Sequence, residues 1–287
     1  MTAHPFILAN VFTDGTPFGG NPLAIFPHAN FDDATMQAIA CQFNLNETVF
    51  ITHFDKQART ARIRIFTPSI EMPFAGHPTI GSGWYLATTH GLSALDISTQ
   101  TRAVHLNHMP SCTTLTTNSY ALCPAQTDRH ALSTLTALPQ EMLADKAYFV
   151  NAGVCQLLLQ VKDTQALERA KVCLTSLKNI FDNNKTLAIN QGITLEHTLY
   201  LWCMNDDTIH VRLFFEQNGI ILEDSGTGSA CVNLGAYLLD NGTNHRQFTI
   251  HQGDHLHRPN RLFLELNDGI QMGGQVRQVG RGEFYLT

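Results

Sequence analysis

The stretch EMPFAGHPTIGSGWYL, residues Glu71 to Leu86, returns in altered form as EDSGTGSACVNLGAYL, residues Glu223 to Leu238. A shift of 152 residues aligns the two stretches without a gap and leaves five identical positions. A duplicated segment dictates the architecture of a chain, because each copy specifies the same folding unit. The sequence therefore predicts two similar units.

The residues around each copy follow the same order in both halves. Strand-like runs precede the copies, at residues 47–51 and 62–66 in the first half and 198–202 and 210–214 in the second. Each pair of runs follows a helical pattern, at about 33–43 and about 165–181. Both copies continue into apolar helices, Thr79–Ala87 and Ala230–Leu239, whose lack of a polar face predicts burial inside the unit. We expect an α+β fold with two similar lobes.

The length of the chain agrees with two lobes. At 287 residues and about 150 residues per domain, two domains are expected. The polar stretch Thr113–Asn118 is the candidate link, which places the lobes at 1–115 and 116–279, with the last residues, about 280–287, as a candidate completion of the first lobe.

Composition narrows the function. The chain is 44% hydrophobic and 15% charged, which is typical of a globular protein, and its net charge of −6 disfavours a nucleic-acid partner. We read no secretory signal and no apolar run of membrane-spanning length, so no membrane association is expected. Seven scattered cysteines without a CxxC pair indicate reduced thiols. A cytoplasmic location is expected.

The two glycine loops are candidate anion sites. Gly76 and Gly228 each open a helix, where backbone N–H groups and the positive helix end can receive a carboxylate. The alternative is that both glycines only permit tight turns. Because the same loop occurs twice beside a polar residue, His77 or Ser229, the repetition favours ligand binding.

Two carboxylates are candidates for acid–base work. Asp224 precedes Gly228 by four residues, although a turn or cap role is an alternative. Glu47 begins an apolar strand, where partial desolvation would raise its pKa toward the range useful for proton transfer. The alternative for Glu47 is a solvent-facing strand end, and for His77 a surface histidine at a helix start.

Five short motifs in order resemble one known family, the PhzF-like proteins, which share the fold of diaminopimelate epimerase. They are FGGNPLA at 18–24, NLNET at 44–48, FTP at 66–68 with EMPFAGH at 71–77, EDSGTGSA at 223–230, and QG at 252–253 with RP at 258–259. The resemblance implies two lobes related by a pseudo-two-fold axis, each a mixed sheet or barrel around a central helix, with the substrate between the lobes.

The resemblance also implies the chemistry. It assigns acid–base catalysis to Glu47, His77 and Asp224, with Glu47 taking a proton from one carbon of the substrate and returning it elsewhere on the same face. The substrate-binding positions that it implies are Asn21, Gly76, Thr227, Gly228 and Ser229. An isomerase of small carboxylate-bearing compounds is expected, without a cofactor or a metal and as a homodimer.

Some positions depart from the family pattern. Epimerase relatives carry a cysteine before each glycine loop, whereas this chain has Ala75 and Ser225, so amino-acid racemisation or epimerisation is disfavoured. Cys231 lies in the predicted helix and is expected to be a core thiol. Gly226 and Pro78 also replace usual family residues and leave the substrate open.

Other features of the sequence bear on three alternative functions. A nucleotide-binding oxidoreductase is disfavoured because Gly226-Thr227-Gly228 lacks the third glycine of GxGxxG and follows two acidic residues. A non-catalytic binding protein stays open. A metal enzyme built on His251, His255 and His257 is disfavoured because Gly253 interrupts the helical spacing.

Overall fold

The computed structural model describes residues 2–190, 195–267 and 269–286. Its strands in chain order are β1 Thr2–Val11, β2 Asn21–Phe26, β3 Glu47–Asp55, β4 Thr60–Phe66, β5 Glu71–Met72, β6 Ala94–Ser98, β7 Ala103–Met109, β8 Cys112–Thr117, β9 Ala121–Pro124, β10 Tyr148–Asn151, β11 Cys155–Gln160, β12 Thr198–Asn205, β13 Thr208–Gln217, β14 Ile220–Asp224, β15 Arg246–Gln252, β16 Asn260–Leu266, β17 Ile270–Gly274 and β18 Val276–Leu286. The α-helices are α1 Asp33–Phe43, α2 Gly76–His90, α3 Arg129–Thr136, α4 Thr164–Arg169, α5 Leu174–Asn190 and α6 Gly228–Asp240. Short 3₁₀ helices span Gln140–Met142 and Asp254–Leu256.

The chain divides into two units. Unit 1 comprises Met1–Thr116, Arg258–Arg261 and Met272–Thr287, and unit 2 comprises Thr117–His257 and Leu262–Gln271. The sequence reading had put residues 258–261 and 272–279 with the second lobe. Residues 276–279 lie in unit 1 because β18 begins at Val276 and pairs antiparallel with β1. Residues 258–261 lie there because Gly20 N donates to the Pro259 carbonyl and Arg261 N to the Phe12 carbonyl, each at 2.8 Å.

Strand pairing repeats within each unit. In unit 1, β3 runs parallel to β2 and antiparallel to β4, and β4 pairs antiparallel with β5 and parallel with β6. In unit 2, β12 runs parallel to β11 and antiparallel to β13, and β13 pairs antiparallel with β14 and parallel with β15. The internal repeat therefore extends from sequence to strand order. A two-fold relation between the units stays a prediction.

Each glycine-loop helix is largely buried in its own unit, as predicted from its apolar surface. Glycines permit this packing. A Cβ at Gly83 in α2 would lie 2.4 Å from Leu106 Cδ1, and a Cβ at Gly235 in α6 would lie 2.7 Å from Ile270 Cγ2. Gly83 and Gly235 are one of the five identical pairs of the repeat. The close approach of each helix to its neighbouring strand explains why both positions are glycine.

Two sequence expectations differ from the structure. The helix expected over about 165–181 is two helices, α4 and α5. Helix α4 ends where Arg212 Nη1 donates hydrogen bonds to the carbonyls of Leu167 and Ala170, at 2.9 and 3.2 Å. The polar stretch Thr113–Asn118 is mostly strand β8 rather than irregular chain, although the boundary between the two units falls within it, after Thr116.

Other expectations are confirmed. Helix α1 has the predicted bounds, with the Asp32 side chain capping it by accepting a hydrogen bond from Thr35 N at 2.8 Å. All seven cysteines are free thiols, and Cys231 is fully buried. No helix in the described part of the chain is long and apolar enough to cross a membrane.

Candidate active site

Glu47 stands at the first position of β3. Helix α1 ends in Asn44, which adopts the left-handed conformation with φ 50° and turns the chain into the strand. The parallel pairing of β2 with β3 sets Glu47 opposite Leu23. Asn46 Nδ2 donates to Asn21 Oδ1 at 3.3 Å, which ties the start of β2 to the start of β3. Asn21 and Glu47, two of the predicted site residues, are thus the first residues of neighbouring strands.

His77 contacts Glu47 directly. The distance from His77 Nδ1 to Glu47 Oε2 is 3.2 Å, and the two side chains are 5% and 18% exposed. Burial lowers the pKa of His77 to about 3, and the nearby Pro22 carbonyl only partly opposes this. The imidazole is therefore neutral at neutral pH, so the contact joins a neutral ring to a carboxyl group rather than two opposite charges.

The starts of α2 and α6 lack side-chain caps. Helices α1, α3 and α4 are capped by Asp32, Asp128 and Asp163, which accept backbone N–H bonds. At α2 and α6 the capping positions are Ala75 and Thr227, and neither side chain caps its helix. Helix-start N–H groups left without a side-chain acceptor are where an exogenous anion binds most readily.

A matching ion pair supports each glycine loop. Arg64 on β4 donates Nε and Nη2 to the two carboxylate oxygens of Glu71, at 2.8 and 2.7 Å. Arg212 on β13 donates in the same way to Glu223, at 3.0 and 2.7 Å. Bidentate pairs of this kind fix orientation as well as charge. The strand that enters each loop is thereby held by its neighbour.

Each of these arginines also lies over a phenylalanine of its own strand. The Arg64 guanidinium carbon is 5.2 Å from the ring centre of Phe66, and that of Arg212 is 4.6 Å from Phe214. Ring contact limits the orientations that each guanidinium can adopt. In both units, an arginine that lies over a phenylalanine and pairs with a glutamate therefore supports the glycine loop.

The loop before α6 is held by Gln252, which is fully buried. Its Nε2 donates to the Asp224 carbonyl at 3.0 Å and to Thr227 Oγ1 at 2.9 Å, while its Oε1 accepts from Thr227 N at 3.0 Å. Thr227 Oγ1 in turn donates to Asp224 Oδ2. Asp224 and Thr227, two of the predicted residues, are therefore in contact. The role of Gln252 was missed, although the QG motif contained it.

Ser229 joins a second buried network. Gln156 Nε2 on β11 donates to Ser229 Oγ at 3.2 Å, and Asn233 Nδ2 donates to Gln156 Oε1. Asn233 Nδ2 also donates hydrogen bonds to the carbonyls of Val150 and Val154, each at 2.8 Å. These contacts set the second residue of α6 against β11. Nothing in the local sequence indicated Gln156 or Asn233, because their partners lie 73 to 83 residues away.

Cys231 and Tyr200 line the interior beside this loop. Burial raises the pKa of the Cys231 thiol, which keeps it protonated, as expected of a core thiol. Burial, with Cys231 and Asp224 nearby, raises the pKa of Tyr200 well above its usual value. Neither group is available as a base near neutral pH.

The predicted residues therefore form two sets. Glu47, His77 and Asn21 lie together in unit 1, where Gly76 opens α2. Asp224 and Thr227 lie together in unit 2, where Gly228 opens α6 and Ser229 follows it. Each unit therefore has a carboxylate side chain near a helix start that lacks a side-chain cap.

Comparison with known proteins gives the family. Residues 9–282 match the PhzC-PhzF family, described as phenazine biosynthesis-like protein. The chain belongs to this family, and the resemblance inferred from its motifs is confirmed.

Relatives and a solved structure agree with this assignment. An uncharacterized isomerase from Pasteurella multocida is 38% identical, with 100% of this chain and 96% of the relative covered. The trans-2,3-dihydro-3-hydroxyanthranilate isomerase of Pseudomonas chlororaphis is 26% identical, with 99% of this chain and 100% of the relative covered. The crystal structure of a PhzF-family protein from Bacillus anthracis has the same fold, with a TM-score of 0.83, 21% identity and full coverage of both chains. The relatives' names support an isomerase.

Proposed function

We propose that the protein is an isomerase that moves a proton on a small carboxylate-bearing substrate without a cofactor, and that Glu47 is the group that carries the proton. The observation that supports this most is the 3.2 Å contact between Glu47 and His77, whose low pKa of about 3 keeps it neutral. A neutral partner does not neutralise the carboxylate, so Glu47 can both take and give a proton.

A single shuttling carboxylate suits an isomerisation better than a racemisation. An isomerase can remove a proton and return it to another carbon on the same face, whereas a two-base racemase needs a group on each face. Ala75, the capping position of α2, has no ionisable group, and Ser225 replaces the second thiol. Burial keeps Cys231, a thiol on the helix that follows the second loop, protonated.

The remaining residues serve binding in this proposal. His77 and Asp224 orient the substrate amine or hydroxyl and stabilise the charge that develops as the proton moves. Ser229 and the N–H groups at Gly76 and Gly228 hold the substrate carboxylate at an uncapped helix start. Gln252 keeps Asp224 in place through the Thr227 contacts.

The names of relatives suggest the first substrate to test. Three relatives, 25% to 26% identical, are named trans-2,3-dihydro-3-hydroxyanthranilate isomerase. That compound has a carboxylate, an amine, a hydroxyl and a carbon-bound proton, the groups that this site would recognise. We propose it, or a ring acid of the same groups, as the substrate class.

Steady-state turnover of trans-2,3-dihydro-3-hydroxyanthranilate by purified variants tests the proposal. Glu47→Gln should lower kcat at least 100-fold with little change in ligand binding, since general acid–base catalysis contributes about 10²–10⁴-fold. Exposed Glu141 provides the matched control, and Glu141→Gln should turn over like the wild type. Equal kcat in Glu47→Gln and wild type would show that another group moves the proton. Wild-type binding without turnover would favour the non-catalytic alternative.

A further inference from the structure

Unit 2 has a second cluster of chemically active side chains, formed by His210, His251 and Asp254. Strands β13 and β15 are parallel neighbours, and their register sets His210 directly opposite His251. Ile209 and Val211, which flank His210 along β13, and Ile250, which precedes His251 on β15, are buried. Because successive side chains of a strand alternate between faces, both histidines point to the other face of the sheet. The juxtaposition is a consequence of strand order and register.

The donor atoms of the cluster are close together. One ligand atom from each of the three residues lies within 4.8 Å of the others, and the imidazole centres are 5.0 Å apart at an interplanar angle of 63°. Asp254 reaches the histidines because Gly253 takes a left-handed conformation, with φ 80°, and turns the chain at the end of β15.

The three residues face a cavity of about 360 Å³. Glu168, at the end of α4, and His255 line the same cavity, so two further donors are available around it. Asp254 is exposed, so an ion from solution can reach the cavity.

We propose that His210, His251 and Asp254 bind one divalent transition-metal ion of the zinc type. Imidazole nitrogen and carboxylate oxygen are the donors that Zn²⁺ takes in proteins, at about 2.0–2.2 Å. Tetrahedral geometry at that bond length sets neighbouring donors about 3.4 Å apart, so no pair of donors has to approach by more than about 1.4 Å.

The metal site goes beyond the proposed isomerase. The sequence had offered His251, His255 and His257 as a metal set and disfavoured it, because one run of chain interrupted by Gly253 cannot present them on a helix. The structure replaces two of those residues by His210 and Asp254. His210 precedes His251 by 41 positions, so only the pairing of β13 with β15 could reveal the set.

The site also has a structural consequence. His251 and Asp254 stand on either side of Gln252, the residue that holds Asp224 and Thr227. A bound ion would fix both ends of this short segment and stabilise unit 2. The proton transfer proposed at Glu47 needs no metal. Failure of the metal site and failure of the proposed isomerase function are therefore separate outcomes.

The test uses the full chain after dialysis against a chelator. Zn²⁺ is titrated in competition with a chromophoric chelator, and Co²⁺ is added separately as a spectroscopic probe. We expect one ion per chain, at least tenfold weaker binding in His210→Ala and in His251→Ala, and unchanged binding in His130→Ala, whose histidine is exposed on α3. Zn²⁺ should raise the Tm of the wild type and not that of His251→Ala.

Two controls keep the result interpretable. His210→Gln preserves side-chain bulk, and far-ultraviolet circular dichroism checks that each variant is folded before titration. The Co²⁺ spectrum of the wild type should lack the charge-transfer band of thiolate ligands. Equal affinity in wild type, His210→Gln and His251→Ala, or a thiolate band in the wild type, would overturn the site, since the ion would then be held elsewhere.

Discussion

Acid should weaken unit 1 through His77. The ring is 5% exposed, and its pKa falls from an ordinary value of 6.5 to about 3 in the folded protein. Between those two values the unfolded chain binds a proton that the folded chain does not. Stability therefore falls as the pH drops through this window, is fully present above about pH 7, and changes no further through this group below about pH 3.

The size of the effect follows from the two pKa values. At pH 5 the unfolded imidazole is almost fully protonated while the buried one is not, which costs about 2 kcal/mol relative to pH 7. Replacing His77 by glutamine removes the titrating group. We therefore expect the free energy of unfolding of the wild type to fall by about 2 kcal/mol more than that of His77→Gln over this interval.

The chain offers a reporter for this measurement. Its two tryptophans lie in different units, Trp84 on α2 and Trp202 on β12. In a Trp202→Phe background, urea unfolding followed by Trp84 fluorescence reports on unit 1. His28→Gln, at an exposed histidine, is the control and should behave like its parent. If His77→Gln and its parent lose the same free energy between pH 7 and pH 5, the neutral-histidine account of the site is refuted.

Three further predictions concern packing and the loop before α6. Gln252→Leu should leave the Thr227 N–H and the Asp224 carbonyl without their partner, which should cost about 2–4 kcal/mol and lower kcat. Gln247→Leu, at an exposed position of the same strand, should cost under about 0.5 kcal/mol. Equal losses in urea unfolding would contradict the role of Gln252 in holding the loop. Asn233→Ala should cost about 3 kcal/mol, because it removes bonds to the buried Val150 carbonyl and the partly buried Val154 carbonyl, and an unchanged Tm would contradict this. Gly273→Ala should destabilise unit 1 by about 3 kcal/mol, because its Cβ would lie 2.1 Å from the Thr113 carbonyl oxygen, and Trp84-monitored unfolding measures it.

The sequence was informative where local pattern decides structure. Helix α1 has the predicted bounds because an aspartate caps its start and a left-handed asparagine ends it. The two apolar helices and their glycine loops were predicted because the same sequence pattern occurs in both copies of the repeat. The family motifs then drew attention to Glu47, His77 and Asp224 before their neighbours were known.

What the sequence missed depends on contacts between distant residues. The break between α4 and α5 arises from Arg212, a residue on another strand that takes the carbonyls at the end of α4. Gln252 and Asn233 hold the second loop through partners far away in the chain, and β18 joins unit 1 only through its pairing with β1. No window of local sequence encodes such contacts, because burial and strand order create them.

The proton-carrying role of Glu47 is tested most directly by deuterium incorporation. Wild type, Glu47→Gln and Glu141→Gln are each incubated in D₂O with trans-2,3-dihydro-3-hydroxyanthranilate, and carbon-bound deuterium is followed by proton nuclear magnetic resonance. Wild type and Glu141→Gln should introduce deuterium at carbon at equal rates, and Glu47→Gln should introduce none above the uncatalysed rate. Incorporation by Glu47→Gln at the wild-type rate would contradict the role assigned to this glutamate.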